Sequence, residues 1–287
     1  MRSSRCHRLS RAGLTLALAA VLGLSGCSGA QTSETLTVAG STTVLPIAEM
    51  AAEGFEDEAG TNVLVSGLGS SAGIEAVING TADIATSSRS LTEEESEHEL
   101  VETVIAHDGI AVIVSPDNPV GGLTTDQLRD IYAGKITNWS EVGGEDLEIQ
   151  VVNRDEASGT REAFRSIVMG DTAFDRSAAV LPGTGQVRDV VSRTPGAIGY
   201  ISIGFVESDY ASTTVKALSI DGVEATEDNV ESGEYPISRD LYFFTNGDPQ
   251  GAAYDYISYV LSDNMSQTIR DAGYIPAHKS STEGGDN

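Results

Sequence analysis

The sequence predicts an α/β fold with largely parallel strands, because strand-like and helix-like segments alternate along it and short Gly/Ser/Thr turns join them. With 287 residues and 40% hydrophobic content the chain can bury a sizeable core. The strand-like runs are Leu36–Ala39, Asn62–Ser66, Ile84–Thr86, Ile110–Ser115, Ile149–Asn153, Ala197–Ile201, Val215–Leu218 and Leu241–Thr245. The helix-like runs are Pro46–Ala59, Ser71–Ile78, Thr92–Leu100, Thr125–Tyr132, Gly159–Val168, Gly185–Arg193, Gly251–Ser262 and Met265–Ala272. Pro46 suits a first helical turn, where its missing N–H costs nothing. Thr92 with Glu95 makes a capping box and marks another start.

Three of the turns carry chemistry. Gly40-Ser41-Thr42-Thr43 follows the first strand, Gly69-Ser70-Ser71-Ala72-Gly73 the second, and Arg154-Asp155-Glu156-Ala157-Ser158-Gly159-Thr160-Arg161 the run ending at Asn153. Each opens a helix, whose first N–H groups lack partners and whose dipole is positive at that end. Small hydroxyl residues let the backbone approach closely and add O–H donors, so three such turns converging would wrap a small oxyanion.

Forty-three acidic residues against seventeen basic ones give a formal net charge of −26. That balance argues against nucleic acid or an acidic membrane as partner, and it suggests adaptation to high salt. A site for an anion must overcome this field with local positive charge. Arg154 is placed for that, directly ahead of Ser158-Gly159-Thr160, where its fork can hold two oxyanion oxygens. Arg89 follows a strand ending in Ser87 and Ser88, which leaves it either touching the anion or bracing the turn. Arg161 and Arg165, at i and i+4, read as a solvated stripe.

The chain opens on a processing signal. Arg2, Arg5, Arg8 and Arg11 precede the apolar run Ala12–Leu24, and Leu24-Ser25-Gly26-Cys27 resembles a lipobox. Residues 1–26 are read as a lipoprotein signal peptide, with Cys27 lipid-modified as the mature N-terminus. Its removal takes four Arg and lowers the net charge to about −30. Cys6 leaves with it, so no intrachain disulfide is expected. Residues 27–35 read as a tether and residues 280–287 as a disordered tail.

A rival reading is enzymatic. Gly69–Gly73 fits the G-x-S-x-G elbow of serine hydrolases, with Ser71 as nucleophile and His107 as the one credible base. Small residues make this pattern often in Gly-rich chains, so binding is preferred. No clustered His/Cys set suggests a metal, no cofactor is expected, and the acidic run Glu93–Glu99 reads as a solvated helix face. Trp139 is expected in the core.

Gly40–Val44, Gly69–Gly73, Ala82–Arg89, Gly134–Trp139, Arg154–Thr160, Gly196–Tyr200 and Tyr235–Arg239 together resemble the phosphate-binding lipoproteins that feed the high-affinity phosphate ABC transporter. The resemblance runs from about Leu36 to about Ala277 and implies a class II periplasmic-binding-protein fold. Two lobes would be joined by crossings near Asp108–Ala111 and Ser238–Leu241. Lobe one would hold 34–108 plus 240–279, and lobe two 109–239. It implies ligand roles for Thr42, Ser70, Arg154, Ser158, Gly159 and Thr160, with Ser41 and Thr43 nearby. The implied protein is a monomer, anchored by its lipid to the outer face of the cytoplasmic membrane, that hands phosphate to a membrane permease.

Several members of that family place an Asp where Ile84–Ser88 ends, to accept the proton of hydrogen phosphate; here Ser88 stands there. The expectation for proton sensing therefore passes to Glu156, with Ser88 in support. Glu156 is two residues from both Arg154 and Ser158, placed either to hold Arg154 or to accept the proton itself. Another tetrahedral oxyanion such as sulfate is the alternative ligand.

Overall fold

The computed structural model describes residues 35–207 and 214–277. The signal peptide, Cys27, the tether as far as Glu34 and the tail lie outside the described residues. Thr35, expected to end the tether, is the first residue of β1.

The chain alternates as β1 (Thr35–Gly40), α1 (Leu45–Ala59), β2 (Asn62–Gly67), α2 (Ser70–Ile78), β3 (Ile84–Ser87) and β4 (Leu100–Val114). It continues through β5 (Gly122–Leu123), α3 (Thr125–Tyr132), β6 (Gln150–Arg154), α4 (Gly159–Phe164), β7 (Ala179–Leu181), α5 (Thr184–Arg193) and β8 (Ala197–Ser202). Last come α6 (Gly204–Glu207), β9 (Lys216–Ile220), α7 (Glu227–Glu231), β10 (Ser238–Asn246), α8 (Gly251–Val260), α9 (Asp263–Asp271) and β11 (Ile275–Pro276). Pro46 sits at the start of α1, as its fixed φ favours. A π-helical turn, Arg165–Met169, extends α4.

The strand order is β2-β1-β3-β10-β4-β8-β6-β7, with β9 and β11 also paired to β4. Within each βαβ unit the pairs are parallel: β1 with β2 and β3, β6 with β7 and β8. The expectation of largely parallel strands fails in the middle of the sheet. There β10 pairs antiparallel with β3 and β4, and β4 antiparallel with β8 and β9. The chain leaves the first set of strands along β4 and returns along β10, so these two neighbours run in opposite directions.

Two large apolar cores form, one on each side of this crossing, and a smaller cluster gathers Ala39, Ile74, Val77, Ala82, Ala85, Tyr242 and Phe244. One gathers Leu36 to Phe55, Val63, Ile84, Ile105 and Ala106 with Leu241, Phe243, Tyr256 and Tyr274. The other gathers Ile110 to Val114 with residues up to Ile237, and takes Ile275 from the far end. Trp139 is buried in the second core and its indole N–H donates to Gly196 O at 3.0 Å. β4 belongs to both cores: its last five residues, Ile110-Ala111-Val112-Ile113-Val114, are buried on both faces.

Thr92–Leu100 is not a helix. Only a 3-10 turn, Glu95–Glu97, forms, and Leu100 already belongs to β4. The capping box is made, with Glu95 N–H donating to Thr92 Oγ1 at 3.2 Å and Thr92 N–H to Glu95 Oε2 at 2.8 Å. Beyond the box, Ser96-Glu97-His98-Glu99 offers no apolar stripe to bury, and Glu93/Glu97 and Glu95/Glu99 would repel at i and i+4. The acidic run is also more than a solvated face, because Glu95 turns inward onto Arg89.

Where the two long strands cross, neighbouring residue pairs face opposite sides. Asp108 opposes Arg239 on the buried side, and His107 opposes Asp240 on the wet side. His107 Nδ1 lies 2.5 Å from Asp240 Oδ1. The Asp240 carboxylate raises the His107 pKa above its usual 6.5, and His107 in turn lowers that of Asp240 below its usual 3.8. The ion pair therefore stabilises the fold fully below the unfolded histidine value, and loses its effect as pH rises through the higher folded value. On the acid side it fades as pH falls through the lowered value of Asp240. Both side chains are nearly half exposed, so the effect is expected to be about 1 kcal/mol or less. His107→Asn should lower the melting temperature at pH 5.5–6 more than at pH 9, as read by calorimetry.

Candidate functional site

The three Gly/Ser/Thr turns meet where the two cores face each other. From the first lobe come the turn after β1, the N-terminus of α2 and the end of β3. From the second come the end of β6, the start of α4 and a turn that the sequence reading did not single out, Gly183-Thr184 ahead of α5. Ser41, Thr43, Ser70, Ser88, Arg154, Ser158, Thr160 and Thr184 are all buried, and Thr42 is half-buried.

Hydroxyls from the two lobes touch directly. Thr42 Oγ1 lies 3.0 Å from Thr184 Oγ1, and Thr43 Oγ1 lies 3.0 Å from Thr160 Oγ1. Gly159 backs onto Ser70 and Ser88 so closely that an added Cβ would sit 2.2 Å from Ser70 Oγ and 2.8 Å from Ser88 Oγ. Gly69 presses in the same way on Ala157, with φ +97°, and Ser71 N–H donates to Ala157 O at 3.2 Å. Glycine at both positions is what lets the lobes meet. Each hydroxyl has one proton and two lone pairs, so the cluster can present O–H donors together.

Arg154 brings a positive charge into this cluster. Its side chain is fully buried, yet among the described residues no carboxylate lies within ion-pair distance. Its Nε donates to Leu181 O at 3.1 Å and Nη2 to Pro182 O at 2.7 Å, which fixes the plane of the guanidinium. Nη1 then reaches Thr184 Oγ1 at 3.2 Å and Nη2 reaches Thr42 Oγ1 at 3.3 Å, one hydroxyl from each lobe. Burial pushes its pKa down, against the opposing pull of Tyr200 and Asp155. A guanidinium stays protonated all the same, so the site holds a desolvated cation. Behind it, Tyr200 stacks on Phe164 with centroids 4.3 Å apart, and its hydroxyl meets Asn153 Oδ1.

Several expected site residues sit in supporting places. Ser41 Oγ accepts from the N–H of Thr43 at 3.2 Å and of Val44 at 3.4 Å, closing its turn. Ser158 Oγ caps α4 by accepting from Arg161 N–H at 3.2 Å. Ser70 Oγ accepts from Ser88 N–H at 3.1 Å and lies 3.4 Å from Ser88 Oγ. Arg89 braces its turn: Nη1 and Nη2 fork onto Glu95 at 2.7 Å each, Nη1 also reaches Ser90 O, and Nη2 donates to Ser71 Oγ at 2.9 Å. Arg161 lies over the Phe174 ring at 5.0 Å rather than on a solvated stripe, while Arg165 pairs with Glu162.

Glu156 is a correction. It is exposed, and Arg154 bonds to carbonyls and threonines instead. Ser158 N–H donates to Asp155 O at 3.2 Å, so residues 155–158 form a tight turn with Glu156 at its outer corner and Ala157 against Gly69. The hydrolase geometry is not assembled either. Ser71 Oγ is held by Arg89, and His107 by Asp240 at the crossing.

Thr184 and Arg239 are the residues that sequence reasoning missed. Thr184 carried the same signal as the other turns, a short strand, Ala179–Leu181, then Pro-Gly-Thr-Gly and a helix. A cavity of about 810 Å³ opens beside the cluster, lined in part by Arg89, His107, Glu162, Arg239 and Tyr242. The hydroxyl cluster is not part of it, because the lobes are already in contact there. The converging donors, not the larger space, mark the site.

A family model described as a PBP superfamily domain matches residues 26–264. The phosphate-binding protein PstS of Bacillus subtilis is 36% identical over 248 residues, covering 85% of this chain and 81% of that protein. The PstS of Borreliella burgdorferi is 30% identical over 261 residues, 88% of this chain and 93% of that one. Among solved structures, a Clostridium perfringens protein with bound phosphate has a TM-score of 0.81 at 36% identity, covering 85% of this chain and 100% of that chain. An ABC-type phosphate transport receptor from Vibrio cholerae has a TM-score of 0.71 at 36% identity, with 84% and 100% covered.

The close approach at Gly159 yields a direct test. Gly159→Ala should keep the lobes from meeting, so that scattering at millimolar phosphate shows a larger radius of gyration than wild type. Indistinguishable profiles would mean that the contact does not limit closure.

Proposed function

The chain belongs to the PBP superfamily and, within it, to the phosphate-binding proteins, and on that premise we propose that it binds inorganic phosphate outside the cytoplasm and delivers it to an ABC transporter permease. The observation that carries the reading is Arg154, a fully buried guanidinium with no ion-pair partner among the described residues, whose Nη1 and Nη2 reach Thr184 and Thr42 of opposite lobes. Leaving such a charge uncompensated costs several kcal/mol. A small anion held between the lobes supplies the missing charge, and it can take up the O–H donors of Thr42, Thr43, Ser70, Thr160 and Thr184 at once. Ser41, Ser88, Ser158 and Gly159 shape the turns around it, and Arg89 braces the second turn.

The ligand completes contacts from both sides, so binding and closure are coupled. No turnover is part of this reading. The basic and apolar leader ending at Cys27 supports export and a lipid anchor at the outer face of the cytoplasmic membrane, with the folded body acting as a monomer. Among the described residues no helix is long and apolar enough to cross a membrane. A Cys27→Ser variant should be lost from the membrane fraction or remain unprocessed.

Arg154→Ala removes a charge-assisted contact worth about 1.5–3 kcal/mol and should weaken phosphate binding by roughly tenfold to a hundredfold. Calorimetric titration of the mature protein reads this directly, and unchanged affinity would refute the assignment.

Sulfate competes for the same donors, and discrimination needs an acceptor for the proton that phosphate carries. Glu156 is exposed at the corner of its turn and makes no bond to Arg154, which favours a minor role for it. Glu156→Gln is expected to leave the ratio of phosphate to sulfate affinity unchanged within about twofold in a competition titration at fixed ionic strength.

A further inference from the structure

We infer that Arg239, held by Asp108, is a positioning residue for the anion site, orienting the Thr43 hydroxyl and the Ser88 turn from the two strands that cross between the lobes. The inference rests on the phosphate-binding reading above. Arg239 lies on β10 directly opposite Asp108 on β4, and their side chains are 4% and 0% exposed. Nε and Nη2 both donate to Asp108 Oδ2, at 3.1 and 2.8 Å. Asp108 Oδ1 accepts from Ser202 Oγ, at the end of β8 in the second lobe, at 2.6 Å.

The other edge of the guanidinium faces the site. Nη1 donates to Ser88 O at 3.1 Å and Nη2 to Thr43 Oγ1 at 3.4 Å. A threonine hydroxyl has one proton, so an arginine donating to its oxygen turns that proton away. The Thr43 O–H is then left to face Thr160 Oγ1 at 3.0 Å and Thr184 Oγ1 at 3.5 Å, across the contact between the lobes. Tyr274 O–H holds the Thr43 carbonyl at 2.9 Å, so the residue is fixed at both backbone and side chain. Through the Ser88 carbonyl the same guanidinium fixes the turn whose hydroxyl faces Ser70.

A buried ion pair adds little net stability over an apolar pair of similar volume. What an apolar pair cannot supply is a directed donor to Thr43 and Ser88, and that is what Arg239 provides.

The test is a double-mutant cycle in phosphate affinity, read by calorimetry on the mature protein with Arg239→Lys, Thr43→Val and both together. Lysine keeps the charge opposite Asp108 and loses the fork. Each single variant is expected to bind about tenfold more weakly, and the double variant no more weakly than the worse single one. Should Arg239→Lys fail to fold, Asp108→Asn combined with Arg239→Gln replaces the ion pair by neutral amides and takes its place in the cycle. Wild-type affinity in the Arg239 variant, or losses that multiply in the double variant, would overturn the inference while leaving phosphate binding intact. No binding of phosphate by the wild type would overturn both.

Discussion

Burying a guanidinium that, among the described residues, makes no ion pair is the constraint that organises this protein. Arg154 is placed by two carbonyls, Leu181 O and Pro182 O, that neutralise none of its charge. The residues around it are consistent with that demand: hydroxyls that can donate, glycines that let the lobes approach, and an aromatic wall of Tyr200 and Phe164 that keeps water from screening the charge. A carboxylate inserted next to Arg154 would make the fold easier to stabilise and the site useless for an anion.

The acidic composition of the chain gives the same constraint a second side. A net charge of −26 repels any anion that approaches. Affinity must therefore arise at short range, where a desolvated cation and several aligned donors act through a low dielectric and salt screens them little. High ionic strength weakens the repulsive field more than it weakens the buried contacts. Apart from Asp155, whose charge pulls on Arg154, three carboxylates near the site are engaged elsewhere or stand outside it. Glu95 is engaged by Arg89, Asp108 by Arg239 and Ser202, and Glu156 stands outside.

Much of the fold was legible because its βαβ units are local: β1, β2, β3, β6 and β8 all lie within a residue or two of the runs read from hydrophobic pattern. The antiparallel centre was not, because it depends on where the chain returns, which no window of sequence records. Thr92–Leu100 misled because a capping box signals a helix start whether or not an apolar face lies beyond it. Around the site, Thr42, Ser70, Arg154 and Thr160 were legible from turn composition and from family resemblance. Asp108 and Arg239 were placed only at the two crossings between lobes, and their pairing across β4 and β10 is what brings them to the site. Glu156 was misplaced because distance along the chain says nothing about which side of a tight turn a side chain takes.

The path of β4 and β10 also sets the order in which the molecule can assemble. The second core is built from one uninterrupted stretch, Ile110 to Ile237, apart from Ile275, and its contacts can form as that stretch emerges. The first core is split: β10 lies between β3 and β4, so those two strands have no partner on that side until residue 238 has been made. Until then Ile84, Ile105 and the inner face of α1 lack Leu241, Phe243 and Tyr256. Closing so long a loop is slow and leaves open strand edges exposed to other chains. The N-terminal segment of this receptor, up to Ala106, must therefore wait, unfinished, for its C-terminus.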